Sequence, residues 1–141
     1  HPRLPRSLPG WNEERGVSPV GPPVPFFLIA DDVVGGFFAL NSGDLPGEPR
    51  LVCYFAPDTL GWEALDVGYT DFLQWCLSGD LAGFYKGQRW PGWEAEVSGL
   101  AGDRGFLILP PQWAEGPPVA ERRRFAVPLA ELYGLYTGHS L

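Results

Sequence analysis

Histidine and lysine are almost absent from this chain, and the few present are badly placed for catalysis. Its 141 residues include one lysine, Lys86, and two histidines, His1 and His139, which lie at or near the two chain ends. Chain ends are the positions least often ordered, whereas a serine or cysteine nucleophile needs its base within about 3 Å. The sequence therefore argues against histidine-based catalysis, and we assign no catalytic residue.

Long apolar segments are missing as well. No run comes near the roughly 18 apolar residues that a membrane helix requires, and the proline- and arginine-rich N-terminus has no apolar centre of the kind found in signal peptides. We therefore expect no membrane partner and a cytoplasmic location. The chain contains no methionine and starts at His1, which indicates a fragment of a longer protein.

Cysteine is limited to Cys53 and Cys76, each among apolar neighbours and far from any histidine. We expect two buried, unreactive thiols in a reducing compartment, and the sequence leaves open whether they are close enough for a disulfide. The acidic residues lack the dense spacing of a calcium loop. No metal and no cofactor is predicted.

The net charge of −7 restricts the partners. Affinity for nucleic acid comes largely from lysine and arginine contacts with phosphates, so no nucleic-acid partner is expected. An acidic surface instead suits a basic protein partner, because complementary fields speed the encounter. The three arginines at 122–124 are interpreted as a solvated loop, since short charge runs are mostly exposed.

The chain divides into an arm and one folded region. Residues 1–24 contain six prolines and scattered glycines, which predict an extended arm. Residues 25–141 are predicted to form a single α+β domain. Apolar runs bounded by turn residues predict its strands: Phe26–Ala30, Val33–Asn41, Leu51–Ala56, Trp62–Leu65 at the edge, Phe106–Leu109 and Phe125–Leu129. Because the connections are short, we expect an antiparallel sheet, with helices packed on one side.

A short aromatic helix is predicted after the fourth strand. Thr70 is a suitable N-cap and Gly79 a suitable end. Apolar positions at intervals of three and four predict one buried stripe, made of Phe72, Leu73, Cys76 and Leu77. Further helical turns are expected at 80–85, after Pro91 and at 130–136.

Two short motifs interrupt the strand pattern. Gly35-Gly36 inside the second run indicates a bulge or a close approach of the backbone to another group. Asp31-Asp32 is interpreted as a tight turn, because adjacent strand residues point to opposite faces and seldom share a metal or a proton. The alternative is a ligand pocket or active site that uses Asp31, Asp32 and Asp58 with nearby aromatic rings.

Aromatic residues are dense between positions 54 and 93, and they carry the main functional signal. Most belong in the core, because each ring buries about 150–250 Å². Tryptophans beside acids are nevertheless typical anchors of protein interfaces. We therefore name a set of candidate contact residues near the entry of the predicted helix: Asp58, Trp62, Glu63, Asp66 and Trp75.

Four segments resemble a bacterial family known as domain of unknown function 2625. They are LIADDVVGGFFALN (28–41), YFAPDTLGWEALDVGYTDFLQWCLSGDLAGFYK (54–86), RWPGWEAEV (89–97) and GFLILPPQW (105–113). The order of strand, DD turn, glycine pair, tyrosine strand and aromatic helix is also similar to the wider SMI1/KNR4-like (SUKH) superfamily. That similarity rests on Gly35-Gly36, Tyr54, Thr70 and Phe72.

The wider resemblance implies an α+β domain that binds proteins without catalysis, and many members of that superfamily are immunity proteins that neutralise toxins, often nucleases. The sequence is therefore interpreted as a non-enzymatic protein-binding module, with immunity against a basic toxin as its most concrete form. The rival hypotheses are a small-ligand binder or enzyme with an aromatic and acidic pocket, and a structural piece whose sheet is completed by another part of a longer protein.

Overall fold

Six strands and four helices make up the part of the chain that the computed structural model describes, residues 26–138. The strands are β1 (Phe26–Asp31), β2 (Phe37–Asn41), β3 (Val52–Ala56), β4 (Gly61–Ala64), β5 (Arg104–Leu109) and β6 (Arg123–Pro128). The helices are α1 (Tyr69–Ser78), α2 (Leu81–Phe84), α3 (Trp93–Ser98) and α4 (Leu129–Thr137), with a 3₁₀ turn at Val119–Glu121. Every predicted strand is present, but β2 begins at Phe37 rather than at Val33, because residues 33–36 with the glycine pair lie in the turn after β1. The predicted arm, His1 and His139 lie outside the described residues.

The strands form two separate antiparallel units. β1 to β4 pair in sequence order as one four-stranded sheet, and β5 pairs only with β6. The α+β class and the antiparallel pairing are confirmed, but the expectation of a single sheet is wrong. A hydrogen bond of 2.6 Å from the Phe106 amide to the Val33 carbonyl links the β5–β6 hairpin to the turn between β1 and β2.

Both faces of the four-stranded sheet are covered by helices. Side chains alternate along each strand, so Phe37 contacts Tyr133 of α4 with ring centroids 5.0 Å apart. The next residue, Phe38, contacts Phe72 of α1 at 4.9 Å. The prediction that helices pack on one side is therefore wrong. β3 shows the reason, because all five of its residues are buried, as expected of a strand enclosed from both sides.

α1 differs from its prediction at its start and along its exposed side. It begins at Tyr69 after an N-cap at Gly68 that makes no side-chain hydrogen bond, so the assignment of Thr70 as N-cap is wrong. Of the predicted stripe only Phe72 is buried. The other members, Leu73, Cys76 and Leu77, are exposed. Phe84 of α2 packs on the same side of the sheet, 4.9 Å from the ring of Trp75 in α1, so only a narrow edge of α1, with Phe72 and Trp75, meets the sheet.

The two cysteines are free, and only one fits the prediction of a buried thiol. Cys53 is buried in β3 and its Sγ lies 3.2 Å from the Pro46 carbonyl oxygen. Cys76 is exposed on α1, so the expectation of burial is wrong there for the same reason as for its neighbours on the helix.

Two of the three clustered arginines are structural rather than solvated. The Arg122 guanidinium donates to four backbone carbonyls, those of Pro110, Pro111, Ala114 and Pro117. Arg124 pairs with both carboxylate oxygens of Glu96 at 3.1 Å. The interpretation as a solvated loop is therefore wrong for both, and β6 begins inside the cluster at Arg123.

Candidate functional site

Asp32 lies in the turn between β1 and β2 and accepts four hydrogen bonds. Its Oδ1 accepts from the amides of Val34 at 3.1 Å and Gly36 at 2.7 Å. Its Oδ2 accepts from the hydroxyls of Tyr54 at 2.8 Å and Tyr85 at 2.9 Å. Tyr54 belongs to β3 and Tyr85 follows α2 directly, so this one carboxylate ties together three separate parts of the chain.

The glycine pair makes this arrangement possible. Gly35 has a φ of +92°, which disfavours any residue with a Cβ, and a Cβ there would overlap the ring of Tyr136. A Cβ on Gly36 would overlap the Tyr54 hydroxyl and the Asp32 carboxylate. The close backbone approach predicted from the pair is confirmed, and the Asp31-Asp32 motif does lead into a turn.

The electrostatics of this group favour an anchoring role for Asp32. Burial raises the pKa of its carboxyl, against the effect of the hydrogen bonds that it accepts. Burial also raises the pKa of the Tyr54 and Tyr85 hydroxyls, and the Asp32 charge adds to that shift. A carboxylate offers about four acceptor positions, and all four are in use. Asp32 therefore holds the turn in place and has no lone pair left to act as a base.

A small pocket adjoins this group of residues, and we call it the Asp32 pocket. Its volume is about 220 Å³. Val33 and Val34 of the β1–β2 turn line part of it, and the segment 85–97 contributes tyrosine, tryptophan, glutamine, arginine and valine side chains. The structure thus brings Asp32 together with aromatic rings, as the alternative of a ligand pocket requires.

The outer side of α1 is apolar and faces solvent. Tyr69, Leu73 and Leu77 are 38%, 43% and 89% exposed, whereas Phe72 on the other side is 1% exposed. Residues three or four positions apart lie on the same side of a helix. Tyr69, Leu73, Cys76 and Leu77 therefore form one exposed strip, which we call the α1 face.

An apolar groove lies against the inner side of the same helix. It has a volume of about 200 Å³, and it is lined by Leu65, Val67, Phe72, Trp75 and Phe84. The surrounding segment, residues 51–85, contains five acids and neither lysine nor arginine. All five acids are exposed: Asp58, Glu63, Asp66, Asp71 and Asp80. The α1 face and this α1 groove thus lie in a purely acidic stretch of the chain.

The five candidate contact residues do not lie on one side of the sheet. Trp62 packs on Phe55, with ring centroids 5.4 Å apart, on the side of the sheet that α4 covers. Trp75 packs on Phe84 on the side that α1 and α2 cover. The acids Asp58, Glu63 and Asp66 are exposed in and around β4. Their role as contact residues stays a prediction.

The acids of the alternative ligand pocket are also separated. Asp31 pairs with Phe37 at the end of the β1–β2 ladder, and Asp58 is exposed at an open polar cleft that Lys86 and Gln88 also line. Among the described residues, the Asp32 pocket is lined by Asp32 and by neither of the other two.

Sequence reasoning missed the residues that complete both surfaces. Arg89 and Gln88 line the Asp32 pocket, but single polar residues between aromatics give no pattern to detect. In the sequence Tyr85 is one aromatic residue among many, and its hydrogen-bond partner Asp32 lies 53 positions earlier. The exposure of Leu73 and Leu77 could not be predicted either, because apolar residues at helical spacing predict a buried side of the helix.

Two kinds of site are absent from the part of the chain that the structure describes. No helix within residues 26–138 has the length and apolar character needed to cross a membrane. The same part of the chain contains no group of three histidine, cysteine or acidic side chains that could hold a metal ion.

Comparison with known proteins places the chain in a family. A "Putative uncharacterized protein YbfG" of Escherichia coli (strain K12) is 45% identical over 133 residues, which are 94% of this chain and 59% of that protein. An "Uncharacterized protein" of Haemophilus influenzae (strain ATCC 51907 / DSM 11121 / KW20 / Rd) is 40% identical over 108 residues, which are 77% of this chain and 47% of that protein. The chain thus spans about half to three-fifths of the length of these relatives.

No solved structure matches the chain significantly. The family described as "Protein of unknown function DUF2625" matches residues 1–132, nearly the whole chain. The chain therefore belongs to the DUF2625 family.

Proposed function

We propose that this chain is a non-enzymatic protein-binding module that docks a basic partner protein on the α1 face and the α1 groove. The observation that carries the proposal is the exposed apolar strip of α1 inside a segment with five acids and no basic residue. The two properties together select a partner whose surface is basic and carries apolar side chains.

The apolar part of this surface supplies the affinity. A single exposed leucine is normal on a protein surface, but Leu73 and Leu77 lie one turn apart on the same exposed strip as Tyr69. Contiguous apolar patches rimmed by polar residues mark interaction sites. Complete burial of a leucine side chain stabilises a complex by about 1.5–3 kcal/mol.

The acidic part of this surface selects the partner. The five exposed acids of residues 51–85 act without any basic residue in the same segment. Such a field attracts a basic protein, raises the association rate and repels acidic competitors. The same field repels phosphate groups, so the surface favours a protein over a nucleic acid.

Immunity against a basic toxin is the most concrete form of this proposal, and it rests on the resemblance to the SMI1/KNR4-like superfamily. A nuclease must present lysine and arginine to bind its substrate. An acidic protein with an apolar docking strip can cover such a surface and thereby exclude the substrate. The charge and the exposed strip of this chain support that role.

The test is affinity capture with the whole chain from a lysate of its source cells at low salt. Three baits are compared: the wild type, the double variant Leu73→Ser with Leu77→Ser, and Leu135→Ser as a matched control, since Leu135 is 60% exposed on α4. We expect a basic protein that the wild type and the control retain and that the double variant loses.

Two further measurements test the charge argument and the immunity role. The retained protein should leave as salt rises, and its nuclease activity, if it has one, should fall when the chain is added. Equal retention by the double variant would refute the assignment of the docking surface. Retention of an acidic protein that resists salt would refute the charge argument.

A further inference from the structure

We propose that the Asp32 pocket binds a small aromatic carboxylic acid, namely one planar ring that carries a carboxylate and a hydroxyl or amino donor. The pocket is lined by the β1–β2 turn and the segment 85–97. It shares no lining residue with the α1 groove. This inference therefore stands independently of the proposed protein partner.

The walls of the pocket select a flat apolar body. The rings of Tyr85, Trp90 and Trp93 line the pocket together with the valine side chains of the β1–β2 turn. The Trp90 ring is held firmly, because Phe106 packs edge-on against it at 5.5 Å and the Arg124 guanidinium lies 4.4 Å from its centroid. A volume of about 220 Å³ is below the ~300–1,000 Å³ of typical ligand pockets, which limits the ligand to about one ring.

Arg89 supplies a positively charged group at this pocket. Its Cζ lies 4.3 Å from the centroid of the Trp93 ring and 5.7 Å from that of Tyr85. Within residues 26–138 its guanidinium makes no ion pair with any carboxylate. A stacked guanidinium keeps its N–H edge available, and that edge matches the two oxygens of a carboxylate. The anionic group of the ligand is therefore placed at Arg89.

Gln88 supplies an acceptor for the ligand's donor. Its Oε1 is buried and accepts no hydrogen bond from any described residue. A buried acceptor without a partner is unfavourable, and Asp32 cannot serve the ligand in its place because four donors already occupy its oxygens. A hydroxyl or amino group on the ring, turned toward the Gln88 amide, satisfies this oxygen.

The first experiment is isothermal titration calorimetry of the whole chain with 4-hydroxybenzoate and 4-aminobenzoate. Three comparators each lack one feature: benzoate lacks the donor, phenol lacks the carboxylate, and cyclohexanecarboxylate lacks the flat ring. We expect saturable one-to-one binding of the two complete ligands, with benzoate weaker by about fivefold and phenol by at least about tenfold. Cyclohexanecarboxylate should bind least well.

Variants then locate the site. Gln88→Leu should remove the preference for 4-hydroxybenzoate over benzoate, and Arg89→Gln should weaken both by about tenfold or more. Arg123→Gln, an exposed arginine of β6, should leave the affinity unchanged. The proposal would be overturned if the complete ligands showed no saturable binding at millimolar concentration, or if the comparators bound as tightly as the complete ligands. Unchanged binding in Arg89→Gln would also overturn it. The comparator series uses the unaltered chain, so it decides the question even if a variant does not fold.

Discussion

Asp32 shows how one side chain can organise a region built from distant parts of a sequence. Its carboxylate accepts hydrogen bonds from two amides of its own turn and from two tyrosine hydroxyls, one in β3 and one directly after α2. A catalytic carboxylate needs a lone pair directed at its substrate, and here each acceptor position is taken. The residue is therefore important for the fold, and its variants should change stability.

Replacement of Asp32 by asparagine tests this role at the residue scale. An amide nitrogen cannot accept hydrogen bonds, so at least one tyrosine hydroxyl loses its acceptor in a buried place. We expect Asp32→Asn to lower the free energy of unfolding by about 1–3 kcal/mol, measured by urea denaturation near neutral pH. Asp44→Asn, at an exposed carboxylate of the β2–β3 loop, is the control and should be nearly neutral. Equal stability of the two variants would contradict the anchoring role.

Tyr136 gives a prediction for alkaline pH. Burial, and after it the charge of Asp32, raises the pKa of this hydroxyl from 10.0 to about 12. Between these values the unfolded chain ionises its tyrosine while the folded chain does not. The contribution of the neutral hydroxyl is therefore complete below pH 10 and is lost as pH rises toward 12.

The expected loss from Tyr136 is at most roughly 2–3 kcal/mol. Urea denaturation at several pH values in this range should show a smaller loss of stability in Tyr136→Phe than in the wild type. If the two proteins lose stability in parallel, the hydroxyl is not held neutral by the fold.

At the scale of elements, the two sides of α1 differ clearly in burial. Phe72 enters the core between Phe38 and Trp75, whereas Leu73 and Leu77 of the α1 face belong to none of the core clusters among the described residues. The fold therefore packs Phe72 on the inner side of the helix, where the α1 groove stays open, and leaves the outer side exposed.

Alanine substitutions on the two sides of α1 measure this division. Phe72→Ala should cost about 3–5 kcal/mol, because it opens a cavity in the core. Leu77→Ala, at a position 89% exposed, should change the free energy of unfolding by no more than about 0.5 kcal/mol. Chemical denaturation of both variants provides the comparison, and a large cost at Leu77 would show that the α1 face is packed in solution.

The turn between β1 and β2 is the second element with a specific requirement. Because a Cβ on Gly36 would overlap Asp32 and Tyr54, Gly36→Ala should destabilise the protein by about 1–3 kcal/mol. Gly61→Ala is the matched control, since a Cβ there has ordinary contact distances to Thr59, and it should be close to neutral. Thermal unfolding that shows the same midpoint for both variants would contradict the tight packing of the turn.

The strands could be predicted from sequence because apolar runs such as Val52–Ala56 stand between clear turn residues. The side on which each helix packs could not, because it depends on which sheet face still has room. Phe72 and Leu77 satisfy the same helical period, yet only Phe72 meets the sheet. The bond between Asp32 and Tyr85 spans 53 residues, and no local pattern contains it.

Charge is distributed unevenly over the whole molecule. Residues 26–85 contain nine acids and one arginine, whereas residues 86–138 contain six acids and six basic residues. The α1 face lies in the first of these halves and the arginine of the Asp32 pocket in the second. One chain thus carries an acidic surface suited to a basic protein and a separate pocket suited to a small anion.

The most direct test of the protein-binding account is the dissociation constant for the captured basic partner, measured by calorimetry at low and at high salt. The account predicts tighter binding by the wild type at low salt, and affinity lower by about tenfold or more in the Leu73→Ser and Leu77→Ser double variant at both salt concentrations. The Leu135→Ser control should match the wild type. An affinity that is unchanged in the double variant would contradict the assignment of the α1 face as the docking surface.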